Sequence, residues 1–270
     1  MDASPMTYAE HEPSPAVGGR VAGYWTFAID AGATPLEPLG APPDGCVALT
    51  WRLGHGQLFV TGAHTGWRSI IAQPGDRMFG IRFWPGAATT LLPLDPAPLR
   101  ERVLPAEQFP ELKKFEAMTR ALDRAADDAD AIAIADRHLA VLCANAPQPD
   151  TAVMRTTARI VESAGKSTVA ELADAESLSP RQLRRRFLAA AGLPPQEFIR
   201  VWRWRCCAVG MGTEDSTDWT TLAAEYGYAD QPHLVREFRH AIGLTPKNYL
   251  RLISRVDYSR LRLTRGLPRP

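Results

Sequence analysis

Residues 179–187 read Ser-Pro-Arg-Gln-Leu-Arg-Arg-Arg-Phe. This stretch predicts a short helix with its own start signal. Ser179 is a capping residue type, and Pro180 suits the first helical position, where its missing N–H would be an orphan in any case. Leu183, Phe187 and Ala190 recur at helical spacing and make one apolar face. With that face turned inward, a rotation of about 100° per residue points Arg181 and Arg185 outward, flanked by Gln182 and Arg184. A helix with an apolar back and guanidinium groups in front fits the major groove of DNA, where an arginine fork meets guanine O6 and N7. A solvated cationic face accounts for one isolated helix of this kind equally well.

The pattern occurs twice. Moved forward by 51 positions, Leu183 becomes Leu234, Arg185 becomes Arg236, Phe187 becomes Phe238, and Gly192-Leu193 becomes Gly243-Leu244. Pro195 likewise becomes Pro246, and Phe198 becomes Tyr249. The cap changes from Ser179 to Asp230, another N-cap former. Upstream, Leu172-Ala173 matches Leu222-Ala223 at a shift of 50, and Gly227 takes the place of Ser177. Each unit is a helix, a tight turn and a second helix ending in glycine, the helix-turn-helix outline.

The 270 residues suffice for one or two domains with real cores. The net charge of +1 hides an asymmetry. Residues 1–110 carry 7 Lys and Arg against 10 Asp and Glu, and residues 111–150 carry 5 against 8. Residues 151–270 carry 19 against 12, so only the repeated region is basic, as phosphate contact requires. No apolar run is long enough for a membrane span and no signal-peptide core is visible, so a cytoplasmic, nucleoid-associated protein is expected. Cys46, Cys143, Cys206 and Cys207 form no metal-binding or redox spacing and are expected to be reduced and at least partly buried. No metal or cofactor is predicted.

The N-terminal part has a different texture. Residues 1–20 are rich in Pro, Gly and Ser and are expected to be loose. Short β-prone runs follow at 23–29, 46–51, 57–61, 67–71 and 78–84, separated by turn formers such as Pro42-Pro43-Asp44-Gly45. They predict a small antiparallel β-barrel or sandwich with flanking helices, and with the helical second half an α+β two-domain chain. Residues 85–92 and 99–103 read as further helices. The division expected is a β-rich effector-binding region (1–110), a helical connector or dimerisation segment (111–150), a DNA-binding domain (151–255) with units at 168–191 and 218–241, and a basic tail (256–270).

Leu172-Ala173 through Ser179-Pro180, with Leu183, Phe187 and Gly192, resemble the AraC/XylS family of bacterial transcription regulators. So do Leu222-Ala223, Gly227-Tyr228, Asp230-Gln231, Leu234, Arg236, Phe238, Gly243, Thr245-Pro246 and Tyr249. The resemblance covers roughly residues 152–253. It implies a DNA-binding domain of two units joined by a helix, behind a variable effector or oligomerisation domain. It places base readers at Arg181, Arg184, Arg185, Gln231, Pro232, Val235 and Arg236. Ser177 departs from the glycine usual at that turn.

Phosphate contacts are expected from Ser179, Gln182, Arg186, Arg239 and Lys247, at helix starts and flanks. Expected partners are double-stranded DNA across two adjacent major grooves, RNA polymerase for an activator, a small-molecule effector and a second copy of the chain. Trp25, Asp44, Trp51, His64, Arg82 and Trp84 are the candidate effector residues, with Arg82 the candidate for an anionic group and core packing the competing role of the tryptophans. His55 and His64 sit beside turn glycines and are expected to be exposed. Two other functions fit the same chain: a DNA-binding regulator whose N-terminal part makes only protein contacts, and a cysteine-dependent alkyl-transfer repair protein using Cys46. The latter is disfavoured, since no cation or histidine near Cys46 in sequence would activate it.

Overall fold

The computed structural model describes residues 5–33, 40–70, 72–211 and 217–253, and the backbone of Asp257–Arg260. The first third is built on β1 (Met6–His11), β2 (Val21–Ile29), β3 (Gly40–Ala41), β4 (Val47–Arg52), β5 (Gln57–Thr61), β6 (Arg68–Ser69) and β7 (Arg77–Phe83). A four-residue α1 (Ala88–Leu91) and the short β8 (Val103–Pro105) follow. Seven strands form one sheet in the order β8-β5-β4-β7-β2-β1-β9, where β9 is Asp257–Arg260, and β3 pairs with β6 as a separate ribbon. All these pairs are antiparallel except β1 with β9.

Four expectations need correction. Residues 6–11 are not loose: β1 is paired along its length with β2, and its Met6 is buried in an apolar cluster. A terminal segment tied into a sheet in this way is ordered. Residues 99–103 do not form a helix; they turn into β8, which pairs with β5. Part of the expected tail, Asp257–Arg260, runs as a strand beside β1; Arg262, Arg265 and Arg269 lie outside the described residues. The run at 67–71 is a strand only at Arg68–Ser69, and Ile71 is also outside them.

Period-two alternation gives the sheet two apolar faces. Tyr24, Leu49, Trp51, Phe79 and Ile81 point to one side. There they meet Leu112 and Phe115 of a 3-10 segment, Met118 and Leu122 of α2 (Glu116–Leu122), and Ile134 and Leu139 of α3 (Asp128–Asn145). The apolar residues of 111–145 therefore pack on the sheet and belong to the first core. Tyr24 Oη donates to Asp136 Oδ1 at 2.6 Å and Trp51 Nε1 donates to Thr119 Oγ1 at 2.9 Å, which pins the two helices in register. Trp25, Phe27, Ile29 and Met78 point to the other side.

The second half is helical: α4 (Thr151–Glu162), α5 (Val169–Ala175), α6 (Pro180–Ala191), α7 (Pro195–Gly210), α8 (Trp219–Glu225), α9 (Gln231–Ile242) and α10 (Pro246–Ile253). Its first half shares a core with the sheet region. Cys46, Ala63, Trp84 and Ala87 pack with Val153, Met154, Phe187, Phe198 and Trp202 in one buried cluster. Trp84 stacks on Trp202 with ring centres 6.0 Å apart. α8, α9 and α10 close a second cluster around Trp204, Phe238 and Tyr249. The helix α7 contributes to both, with Phe198 and Trp202 on one side and Trp204 and Cys207 on the other.

Candidate nucleic-acid interface

The two units share two turn hydrogen bonds at equivalent positions. In the first, Leu178 N donates to Ala173 O at 2.9 Å and Ser177 N to Asp174 O; in the second, Tyr228 N donates to Ala223 O at 2.9 Å and Gly227 N to Ala224 O. This geometry requires a left-handed residue after the helix. Gly227 supplies it at φ 74°, and Ser177 adopts it at φ 53°. The departure from glycine leaves the turn intact and places a side chain in a region that costs non-glycine residues about 1 kcal/mol or more.

Each second helix starts and stops on its own residues. Ser179 Oγ accepts from Gln182 N at 3.2 Å, while Gln182 Oε1 accepts from Ser179 N at 2.8 Å, a reciprocal capping box. Asp230 caps α9 by accepting from His233 N at 2.6 Å. Gly192 and Gly243 end the two helices in the left-handed conformation. Inside these limits Leu183, Phe187 and Leu234, Phe238 are fully buried. Arg181, Arg184, Arg185, Gln231, Pro232 and Arg236 are exposed, and Val235 is half-buried. No ion pair among the described residues engages the four arginines.

The expected phosphate contacts divide. Arg239 and Lys247 are exposed near the end of α9 and the start of α10. Ser179 and Gln182 are occupied in capping. Arg186 is held by Asp150 at 2.7 and 2.8 Å, and the same carboxylate caps α4 through Ala152 N and Val153 N. Arg186 therefore ties α6 to α4 while its side chain stays partly exposed.

The candidate effector residues also divide. Trp25, Asp44, His64 and Arg82 line one small cavity of about 40 Å³ between the sheet and the β3–β6 ribbon, with Thr50, Thr61, Arg68 and Ile70. Trp51 and Trp84 do not reach it; they are core residues of the α2–α3 face and of the junction with α7. Gly80 is what admits Trp25, since a Cβ there would stand 2.0 Å from the indole. His64 is 2% exposed, contrary to expectation, while His55 is half exposed. Pro42 O, 3.0 Å from His64 Nε2, can only accept, so that nitrogen carries the proton. Burial pulls the His64 imidazole below its ordinary pKa, against the opposing pull of Asp44, whose Oδ1 lies 3.5 Å from Nδ1.

All three nitrogens of Arg82 are engaged. Its Nε donates to Asp44 Oδ2 at 2.7 Å, Nη1 to Glu10 Oε1 at 2.5 Å and Nη2 to Tyr8 Oη at 2.7 Å. Glu10 also accepts from Arg205 Nη2 of α7 at 3.1 Å, across the junction of the two halves. Burial opposes ionisation of both carboxyls, but His64, Arg82 and Arg205 bring Asp44 down to about 2, and the two guanidinium groups hold Glu10 below its usual range. Asp76, another buried acid of the sheet region, pairs with Arg52. Glu10 and Arg205 escaped the sequence reading, because nothing local marks residues 195 positions apart as partners. The one available signal was Arg205 itself, a cation in a run of tryptophans and cysteines.

Further contacts bind the sheet region to both units. Trp67 N donates to Ala241 O at 2.8 Å, satisfying a carbonyl at the end of α9. At the end of α6, a Cβ on Gly192 would stand 2.4 Å from Pro96 O. Cys46 is buried, and burial beside Asp44 pushes its thiol well above the ordinary range.

Residues 172–252 match the helix-turn-helix domain family, and residues 9–105 match a domain of unknown function (DUF6597). A protein of Streptomyces antibioticus named as an AraC-like transcription regulator is 34% identical over 82 residues, 30% of this chain and 27% of that protein. The bifunctional transcriptional activator/DNA repair enzyme Ada of Escherichia coli is 28% identical over 106 residues, 39% of this chain and 29% of that protein. The chain thus spans less than a third of the length of these curated relatives. Among solved structures, ToxT of Vibrio cholerae is similar over 93% of this chain and 99% of its own, at 10% identity and a TM-score of 0.41.

Proposed function

We infer that this chain, whose C-terminal half carries a helix-turn-helix domain similar to that of AraC-like regulators, is a sequence-specific DNA-binding transcription regulator whose N-terminal region senses a small molecule. The observation that carries the reading is the duplicated unit with its exposed, unpaired arginines on α6 and α9. The helix between the units, α7, has 16 residues and is about 24 Å long at 1.5 Å per residue. With the flanking packing it supports a spacing of about 34 Å between recognition helices, one turn of B-DNA. Arg181, Arg184, Arg185 and Arg236 then read base edges with Gln231, while Arg239 and Lys247 meet phosphate.

The cavity beside Asp44, His64 and Arg82 supports the sensing role, because its walls touch the contacts that hold α7 and α9. Catalysis by Cys46 finds no support: the thiol is buried, and its environment raises its pKa. The test is direct. On a duplex selected by the full chain from a random pool, R185A or R236A should each cost about 1–3 kcal/mol and relax base choice at one position. Unchanged affinity and selectivity in both variants would refute the reading.

A further inference from the structure

Three guanidinium groups stand at the cavity under the β3–β6 ribbon or beside it, Arg68 and Arg82 lining it and Arg205 joined to Arg82 through Glu10, and two buried carboxylates pair with two of them. Glu10 and Asp44 are consumed by Arg82 and Arg205. The third, Arg68, has a buried Nη1 with no hydrogen-bond partner. Glu101, the other acid in its neighbourhood, is turned to Thr65, accepting at 2.9 and 2.8 Å. Thr50 and Thr61 line the same cavity, each with a buried, unpartnered Oγ1, and Thr61 is only 2% exposed. Buried polar atoms normally find partners, so a cluster left without them points to a missing ligand or water. The opposite wall is apolar, formed by the Trp25 indole, Phe27 and Ile70.

We propose that this cavity binds a small carboxylic acid with a compact apolar body, its carboxylate on Arg68, Thr50 and Thr61 and its body against Trp25. The assignment rests on the sensing role inferred above and names the ligand class of that site. Arg82, the obvious candidate in sequence, is less available, because each of its three nitrogens already donates to Asp44, Glu10 or Tyr8. At about 40 Å³ the closed cavity has room only for water, by the measure that one water needs about 10–15 Å³. An acid enters by lifting the β3–β6 ribbon, which is held to itself by two residue pairs, Gly40 with Ser69 and Ala41 with Arg68. The ribbon also carries the signal. Trp67, next to Arg68, donates its N–H to the end of α9, so an anion drawing on Arg68 moves the strand that grips the second recognition helix.

The probes are cyclohexanecarboxylate and its uncharged isostere cyclohexanecarboxamide, titrated against the full chain by calorimetry and thermal shift. No DNA is present, so failure here leaves the DNA-binding reading standing, and a failure of that reading leaves this result intact. The carboxylate should bind and raise Tm, and the amide should bind at least about tenfold more weakly. R68Q should abolish that preference while leaving the ligand-free Tm little changed, because no ion pair among the described residues holds Arg68 and only longer-range attraction to Asp44 and Glu101 is lost. T61V should weaken carboxylate binding without a gain for the amide. Equal binding of acid and amide, no binding of either at about 10 mM, the fragment range, or an undiminished acid response in R68Q would each overturn the proposal. A lowered ligand-free Tm in R68Q, with no loss of acid binding, would assign Arg68 a purely structural role.

Discussion

Ser177 holds a left-handed conformation that its counterpart Gly227 takes without penalty. S177G should therefore raise stability by up to about 1 kcal/mol, reduced by the greater freedom glycine has in the unfolded chain. Urea denaturation measures this, and a loss of stability would show that the serine side chain contributes something the backbone does not. Arg186 offers the contrasting case. Its pair with Asp150 is partly exposed, so R186A should cost no more than about 1 kcal/mol of stability. It should leave base preference unchanged, which the selected duplex would report. The outward arginines of α6 were legible from helical period alone. The fate of Arg186 was not, because Asp150 lies 36 residues away and reaches it only through the packing of α4 on α6.

Among the elements, α6 and α9 were readable to within a residue because caps, apolar spacing and terminal glycines agree there. β1 was not: a six-residue edge-region strand in polar sequence declares itself only through its partner β2 and through Glu10. That strand carries a charge on which two buried arginines depend. E10Q should destabilise the protein by about 3–5 kcal/mol, the usual cost of leaving buried charges uncompensated. Equilibrium denaturation is the measurement; a change below about 1 kcal/mol would mean that solvent reaches the junction between β1 and α7. The segment 111–145 was legible as helical, but its apolar residues Leu112, Phe115, Met118 and Leu122 do not declare in sequence which surface they will cover.

For the molecule as a whole, the sheet region and the first helix-turn-helix unit share a core, and a buried ionic cluster spans the junction. The cluster gives the fold a defined acid limit. Asp44 titrates near 2 in the folded protein against an ordinary 3.8, so its contribution, about 2 kcal/mol, is complete above roughly pH 4 and lost as pH falls toward 2. D44N should be less stable at pH 7 and should show a shallower loss across that window. Identical acid limbs in the two proteins would contradict the role assigned to Asp44. Arg82 was legible as the cation of this junction, but Glu10 was not, since its ties to Arg82 and Arg205 span 72 and 195 positions.

The measurement that bears most directly on the whole account is the architecture of duplexes selected from a random pool by the full chain. Wild-type protein should select two guanine-containing boxes about 10 base pairs apart, centre to centre, one helical turn. R185A should lose the preference in one box and R236A in the other. A single box, or boxes whose sequence and spacing are untouched by both substitutions, would contradict it.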